Sequence, residues 1–136
     1  MTPPLTIGAV ARAAGVSVDT VRFYERRRLL PLPARRASGY RQYGAATIDR
    51  IRFAKQLQAL GFTLDEVVGV LQDVDRGIAS CAEERPRFAT VLSRVDAKIA
   101  ALVALRRDLR VTLRRCETGR CDLGRRVSSR ATRTRP

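Results

Sequence analysis

Seven apolar residues in the second half of the chain, Phe88, Leu92, Val95, Ile99, Leu102, Leu109 and Leu113, follow one another in steps of three and four, with one place skipped at Arg106. That spacing is the seam of a coiled coil, because every step returns to the same face of a helix. A solitary helix of this length would leave the stripe in water. Residues 81–115 are therefore expected to form a long helix that pairs with another, and a second copy of the chain is the economical partner. Pro86 is tolerated where a missing N–H costs little, in a first turn, so the helix is expected to start nearer Glu84 than Cys81.

With 136 residues in all, a chain carrying such a helix has room beside it for one small domain, taken as residues 1–75. Aromatic residues make up 5% and tryptophan is absent, so the core must be aliphatic. The formal charge is +14 and is almost wholly arginine, since the lysines are Lys55 and Lys98. An excess of that size suits a polyanion, and guanidinium forks match phosphate oxygens and guanine edges. No apolar run approaches the roughly 20 residues of a membrane span, and Met1-Thr2-Pro3-Pro4 does not read as a signal peptide. A cytoplasmic chain with no membrane partner is expected, with its thiols reduced. The sequence contains no histidine, no nucleophile with an acid–base partner and no glycine-rich phosphate loop. These absences point away from an enzyme.

Two short helices open the first domain. One begins after Thr6 and ends at Gly15; the second runs from about Val18 to Arg27, with Ser17 able to cap it. Separated by a three-residue turn, they form a helix-turn-helix, with Val10, Val16, Val21 and Phe23 facing inward. Pro31 and Pro33 stop helical structure. Arg35 to Tyr43, turning at Ser38-Gly39 and alternating afterwards, reads as a basic hairpin or wing. A third helix follows from about Ala45 to Leu60, with Ile48, Ile51, Phe53, Leu57 and Leu60 near one face. Thr63-Leu64-Asp65-Glu66 opens a fourth with a capping box, continuing to about Asp73. Gly77 to Ser80 is a linker. Residues 116–123 form a short loop bearing thiols, and 124–136 are arginine, serine and threonine with almost nothing to bury, hence expected to be disordered.

Thr6-Ile7-Gly8 with Ala14-Gly15-Val16-Ser17, Val21-Arg22-Phe23-Tyr24-Glu25, Gly39-Tyr40-Arg41-Gln42-Tyr43 and Leu60-Gly61-Phe62-Thr63-Leu64-Asp65-Glu66 occur in this order and spacing. Together they resemble the MerR family of bacterial regulators, over residues 6 to 66 nearly without gaps. The resemblance implies a mainly α fold: a winged helix-turn-helix followed by a long helix that forms an antiparallel coiled-coil homodimer. It implies double-stranded operator DNA as partner, met by Ser17, Thr20, Arg22 and Tyr24 of the second helix and by Arg36, Arg41 and Tyr43 of the wing. Tyr40 is expected to pack within the wing. Such regulators act with RNA polymerase at a promoter, repressing when empty and activating when filled, by twisting and bending the DNA. One residue departs from the pattern. Arg28 stands where the family has glycine before Leu29-Leu30, so a left-handed backbone there would be strained.

Three cysteines complete the reading. Cys81 and Cys116 lie 35 positions apart along one helix, which at about 1.5 Å per residue is roughly 50 Å. A single chain cannot bring them to one ion, whereas an antiparallel dimer sets the start of each helix beside the end of its partner. The expected site joins Cys116 and Cys121 of one chain to Cys81 of the other. Three thiolates without imidazole make a soft site, suited to Hg(II), with Pb(II), Cd(II) and As(III) as alternatives. The resemblance points the same way, since the mercury-responsive regulators look most similar. The four residues between Cys116 and Cys121 make a shorter loop than those regulators have. Other readings stay open: a redox or electrophile sensor using a Cys116–Cys121 disulfide, with Arg114, Arg115 and Arg120 favouring thiolate, unconnected cysteines, or a basic protein that merely compacts DNA.

Overall fold

The computed structural model describes residues 3–31, 33, 37, 39 and 41–120. Five helices follow in order: α1 Ile7–Ala14, α2 Val18–Arg26, α3 Ala45–Ala59, α4 Leu64–Asp75 and α5 Cys81–Glu117. The chain divides into two units, Met1–Val91 and Leu92–Pro136.

Within the first unit the helix ends follow from local chemistry. Thr6 Oγ1 accepts from the Ala9 amide, and Gly15 closes α1 at φ 69°, a left-handed turn that lets its N–H reach back to Ala11 and Arg12. Ser17 caps α2 through the Thr20 amide. Thr63 and Glu66 form the expected capping box of α4. The carbonyls left over at the end of α1 are taken by α3: Arg52 donates to Ala13 O and Lys55 to Gly15 O. These bonds fasten the helix-turn-helix to α3.

The core is aliphatic, as the composition requires. Val10, Ala11, Val21, Leu29, Leu30, Ile51, Ala54, Leu57, Val67, Val70, Leu71 and Val91 are buried, joined by Phe62 and by Tyr24 and Tyr43. Three expected core residues are not in it. Phe23, Phe53 and Leu60 are exposed. Phe23 and Phe53 fall between the positions of the inward stripes Val21–Tyr24–Glu25 and Ile51–Ala54–Leu57, and Leu60 lies past the last residue of α3, as its C-cap.

α5 begins at Cys81, earlier than the proline suggested. Ser80 accepts from the Glu83 amide through its hydroxyl and from the Glu84 amide through its carbonyl, which anchors a full turn ahead of Pro86. The proline therefore sits inside the helix, where it forgoes one backbone bond. The opening turns are held by side chains instead. Arg87 donates to both Asp73 and Glu84, and the Phe88 ring meets Phe62 edge-on at 4.8 Å.

In the second unit, the described residues form the rest of α5 and the short turn after it. Leu92, Ile99, Leu102, Val103, Leu105, Leu109 and Leu113 are all exposed. The stripe read from the sequence is real as a helical face. No helix of the described residues is long and apolar enough to cross a membrane.

Candidate nucleic-acid interface and cysteine positions

A cleft of about 750 Å³ lies between α2 and residues 41–43, at the end of the segment expected to be a wing, and is lined by Arg22, Glu25, Arg26, Gly39, Arg41 and Gln42 together with Leu5, Thr6, Ile7 and Tyr43. Three guanidinium-bearing residues thus face one groove. The floor is set by an antiparallel bridge in which the Leu5 and Tyr43 backbones exchange N–H···O bonds of 2.8 and 3.0 Å. Gly39 has φ 83°, the left-handed value expected of a hairpin-turn glycine.

The residues read from the sequence divide into three groups. Ser17 and Arg22 are exposed and Thr20 is half-buried on α2. Ser17 Oγ is already engaged, accepting from the Thr20 amide at 3.0 Å and lying 2.9 Å from Thr20 Oγ1. Arg22 makes a loose pair with Asp19 at 3.8 Å, which leaves its fork available to an anion.

Tyr24 and Tyr43, both expected at the DNA, form the second group. Both side chains are buried. Tyr24 donates to Gln58 Oε1 at 2.6 Å, tying α2 to α3. Tyr43 donates to Glu25. Burial raises the ionisation of Tyr24 above its ordinary value, and burial together with the Glu25 carboxylate pushes Tyr43 up to about 12. Both remain neutral hydrogen-bond donors turned inward. Each hydroxyl has a partner within the chain.

Arg36 and Cys121 lie outside the described residues, as do Arg35, Ser38, Tyr40 and the segment 122–136. Arg41 is described, and its guanidinium pairs with Glu25.

Glu25 was not singled out from the sequence, although a signal was present. It lies four positions after Val21 and seven after Val18, on the inward stripe of α2, where a carboxylate must find cations or donors. Arg41 and Tyr43, two positions apart on an extended segment, share a face and meet that need. Arg26, also missed, lines the cleft with its guanidinium carbon 6.0 Å from the Phe23 ring centroid.

At the end of α2 the backbone turns left-handed at Arg28, φ 61°. Arg28 N–H bonds to Glu25 O and Leu29 N–H to Tyr24 O, the paired closure normally built on glycine. Arginine occupies it under strain of about 1–2 kcal/mol, and this delivers Leu29 and Leu30 to the core.

Cys81 is the first residue of α5 and Cys116 its last but one, and both are exposed. Among the described residues of one chain, no three Cys, Asp or Glu side chains gather where they could hold a metal ion.

Comparison with known proteins agrees with this architecture. The model of the MerR HTH family regulatory protein matches residues 5–74, and a second, MerR, DNA binding, matches residues 48–111. The chain belongs to the MerR family. It is a DNA-binding transcription regulator rather than an enzyme. It is 39% identical over 110 residues to a mercuric resistance operon regulatory protein of Bacillus cereus, covering 81% of this chain and 83% of that one. Among solved MerR-family structures, the regulator PbrR691 of Ralstonia metallidurans CH34 in complex with lead(II) superposes with a TM-score of 0.75 at 34% identity, over 81% of this chain and 86% of that one. MerR of Bacillus megaterium MB1 in complex with mercury(II) does so with a TM-score of 0.65 at 34% identity, over 82% and 86%.

Proposed function

We propose that this MerR-family regulator senses a soft, thiophilic metal ion, Hg(II) foremost, and controls a heavy-metal resistance operon in the cytoplasm together with RNA polymerase. Empty, it represses; filled, it activates by distorting the operator. The observation that carries this reading is the placement of Cys81 and Cys116, both exposed, at the two ends of a helix whose apolar seam is also exposed. Closing that seam on a second copy running head to tail buries the stripe. It also brings Cys81 of one protomer to Cys116 and Cys121 of its partner, so that dimerisation and sensing share one structure. The donor set fits such an ion: three sulfurs and no histidine in the sequence favour soft ions over oxygen-seeking ones. Relatives at or above one-third identity are named for mercuric resistance or solved with mercury(II). Pb(II) is the second reading, favoured by the lead-bound neighbour, and Cd(II) and As(III) complete the panel.

The test is to measure Hg(II) binding by mixed dimers. Cys81→Ser and Cys116→Ser homodimers each lack a complete site. A heterodimer of the two keeps one complete three-sulfur site if ligands come from both protomers, and none if they come from one. Half of the wild-type Hg(II) stoichiometry is expected. No binding by the heterodimer would reject the shared site. Induction by peroxide, with none by any ion of the panel, would replace metal sensing by redox sensing.

A further inference from the structure

Glu25 and Glu84 are the buried charged residues among those described, and Glu25 lies directly behind the basic cleft. Its side chain is 3% exposed, whereas that of its partner Arg41 is 36% exposed. One carboxylate oxygen receives the Arg41 guanidinium and the other the Tyr43 hydroxyl, so both acceptors of Glu25 are used. The guanidinium is not exhausted: Nη1 is the atom that meets Glu25, and the residue also lines the cleft beside Arg22 and Arg26. A planar fork anchored at one terminal nitrogen keeps its other donors for a second partner and is restricted in where it points them.

We propose that Glu25 is a positioning residue for DNA. It holds Arg41 so that the edge of the guanidinium not used by the carboxylate faces a backbone phosphate in the cleft between α2 and the wing. Tyr43 satisfies the other carboxylate oxygen, a contact that serves the stability of the fold. This rests on the reading of α2 and the wing as the DNA-contacting surface, and deepens it by assigning a role to an acidic residue on a face built for a polyanion. Charge alone predicts the opposite. Removing a carboxylate from a phosphate-binding face raises the local positive potential and should tighten binding. Positioning predicts that the same change weakens it, because the fork loses its fixed direction and must be ordered by the DNA.

The experiment measures operator affinity and its salt dependence for the full-length protein, with thermal melting to confirm folding. Glu25→Gln is expected to weaken binding about tenfold, which is about 1.4 kcal/mol. Arg41→Ala should weaken it at least as much and lower the salt slope by about one phosphate contact. Glu25→Gln added to Arg41→Ala should cost nothing further, since the acid acts through the arginine. Tyr43→Phe, which leaves the Arg41–Glu25 pair, should lower the melting temperature while changing affinity less than about twofold. If Glu25→Gln does not fold, Arg41→Lys decides: it keeps the charge but not the fork, and should lose about as much affinity as Glu25→Gln was expected to. Unchanged or tighter binding by Glu25→Gln, or wild-type binding by Arg41→Lys, overturns the proposal while leaving the interface intact. Wild-type affinity and slope in Arg41→Ala overturns the proposal and the wing contact together.

Discussion

The two units of this chain use the same residue types to different ends. In the first, Val, Leu and Ile side chains from four short helices and the start of a fifth cover one another, and Ile51 is 0% exposed. In the second, Leu and Ile residues stand along a single helix, and Leu102 is 63% exposed. Apolar residues recur at helical spacing in both, though the faces are more sharply divided in α1, α2 and α4 than along α5. What differs is the supply of neighbours: the short helices of the first unit cover one another, while the apolar residues of α5 from Leu92 onward are exposed. An apolar stripe that no described element covers is a surface suited to a partner.

The sharpest way to break this contrast is to truncate one apolar residue in each unit. Ile51→Ala should destabilise the first unit by about 2–5 kcal/mol through lost burial and a cavity, read as a lower urea midpoint that does not depend on protein concentration. Leu102→Glu, by contrast, should leave the melting of the first unit nearly unchanged and shift the protein to monomer, read by sedimentation. A variant that stays dimeric would show that the seam is not the dimer interface, and would remove the shared thiol site with it.

A smaller effect sharpens the same contrast from the backbone side. Arg28→Gly relieves the left-handed strain at the end of α2 but adds freedom to the unfolded chain, so a net gain of about 0.5–1 kcal/mol is expected. It should appear in the melting of the first unit and leave the oligomeric state alone. Loss of stability would mean that the arginine side chain contributes more than its backbone costs.

The smallest effect concerns pH. Arg50 Nη1 and Nη2 donate to the two carboxylate oxygens of Asp75 at 2.6 and 2.8 Å, which lowers the Asp75 ionisation below its ordinary 3.8. A carboxylate whose folded value is depressed contributes stability above its unfolded value, and that contribution is lost as pH falls through the folded one. Because Asp75 is more than half exposed, the effect is modest, below about 1 kcal/mol. Asp75→Asn should therefore flatten the acid limb of stability below about pH 4 and change little at neutrality. An unaltered acid limb would show the pair to be ornamental.

Much of the fold was legible because its signals are local. Thr6 and Gly15, Ser17, and Thr63 with Glu66 mark helix ends through bonds three or four residues long, and the structure uses all of them. The long helix was legible from its seam, although its first residue was not, because Ser80 outweighs Pro86 as a boundary signal. The interface was legible in part. Arg22 and Arg41 fall in one cleft as their motifs implied. The partners of Tyr24 and Tyr43 inside the chain were not legible, because a phenol reads the same whatever its hydroxyl meets. Gln58, 34 positions from Tyr24, could not be paired with it from spacing alone.

The sequence by itself determined the helices, the mainly aliphatic core and the apolar stripe of α5, since these follow from propensity, periodicity and capping within a few residues, whereas the left-handed turn at Arg28 is seen only in the structure. Only the tertiary structure decided which polar side chains face inward. Whether a hydroxyl or carboxylate meets solvent or is buried depends on donors brought from distant segments, and Glu25 between Arg41 and Tyr43 exists as a device only once α2 and the wing are packed together.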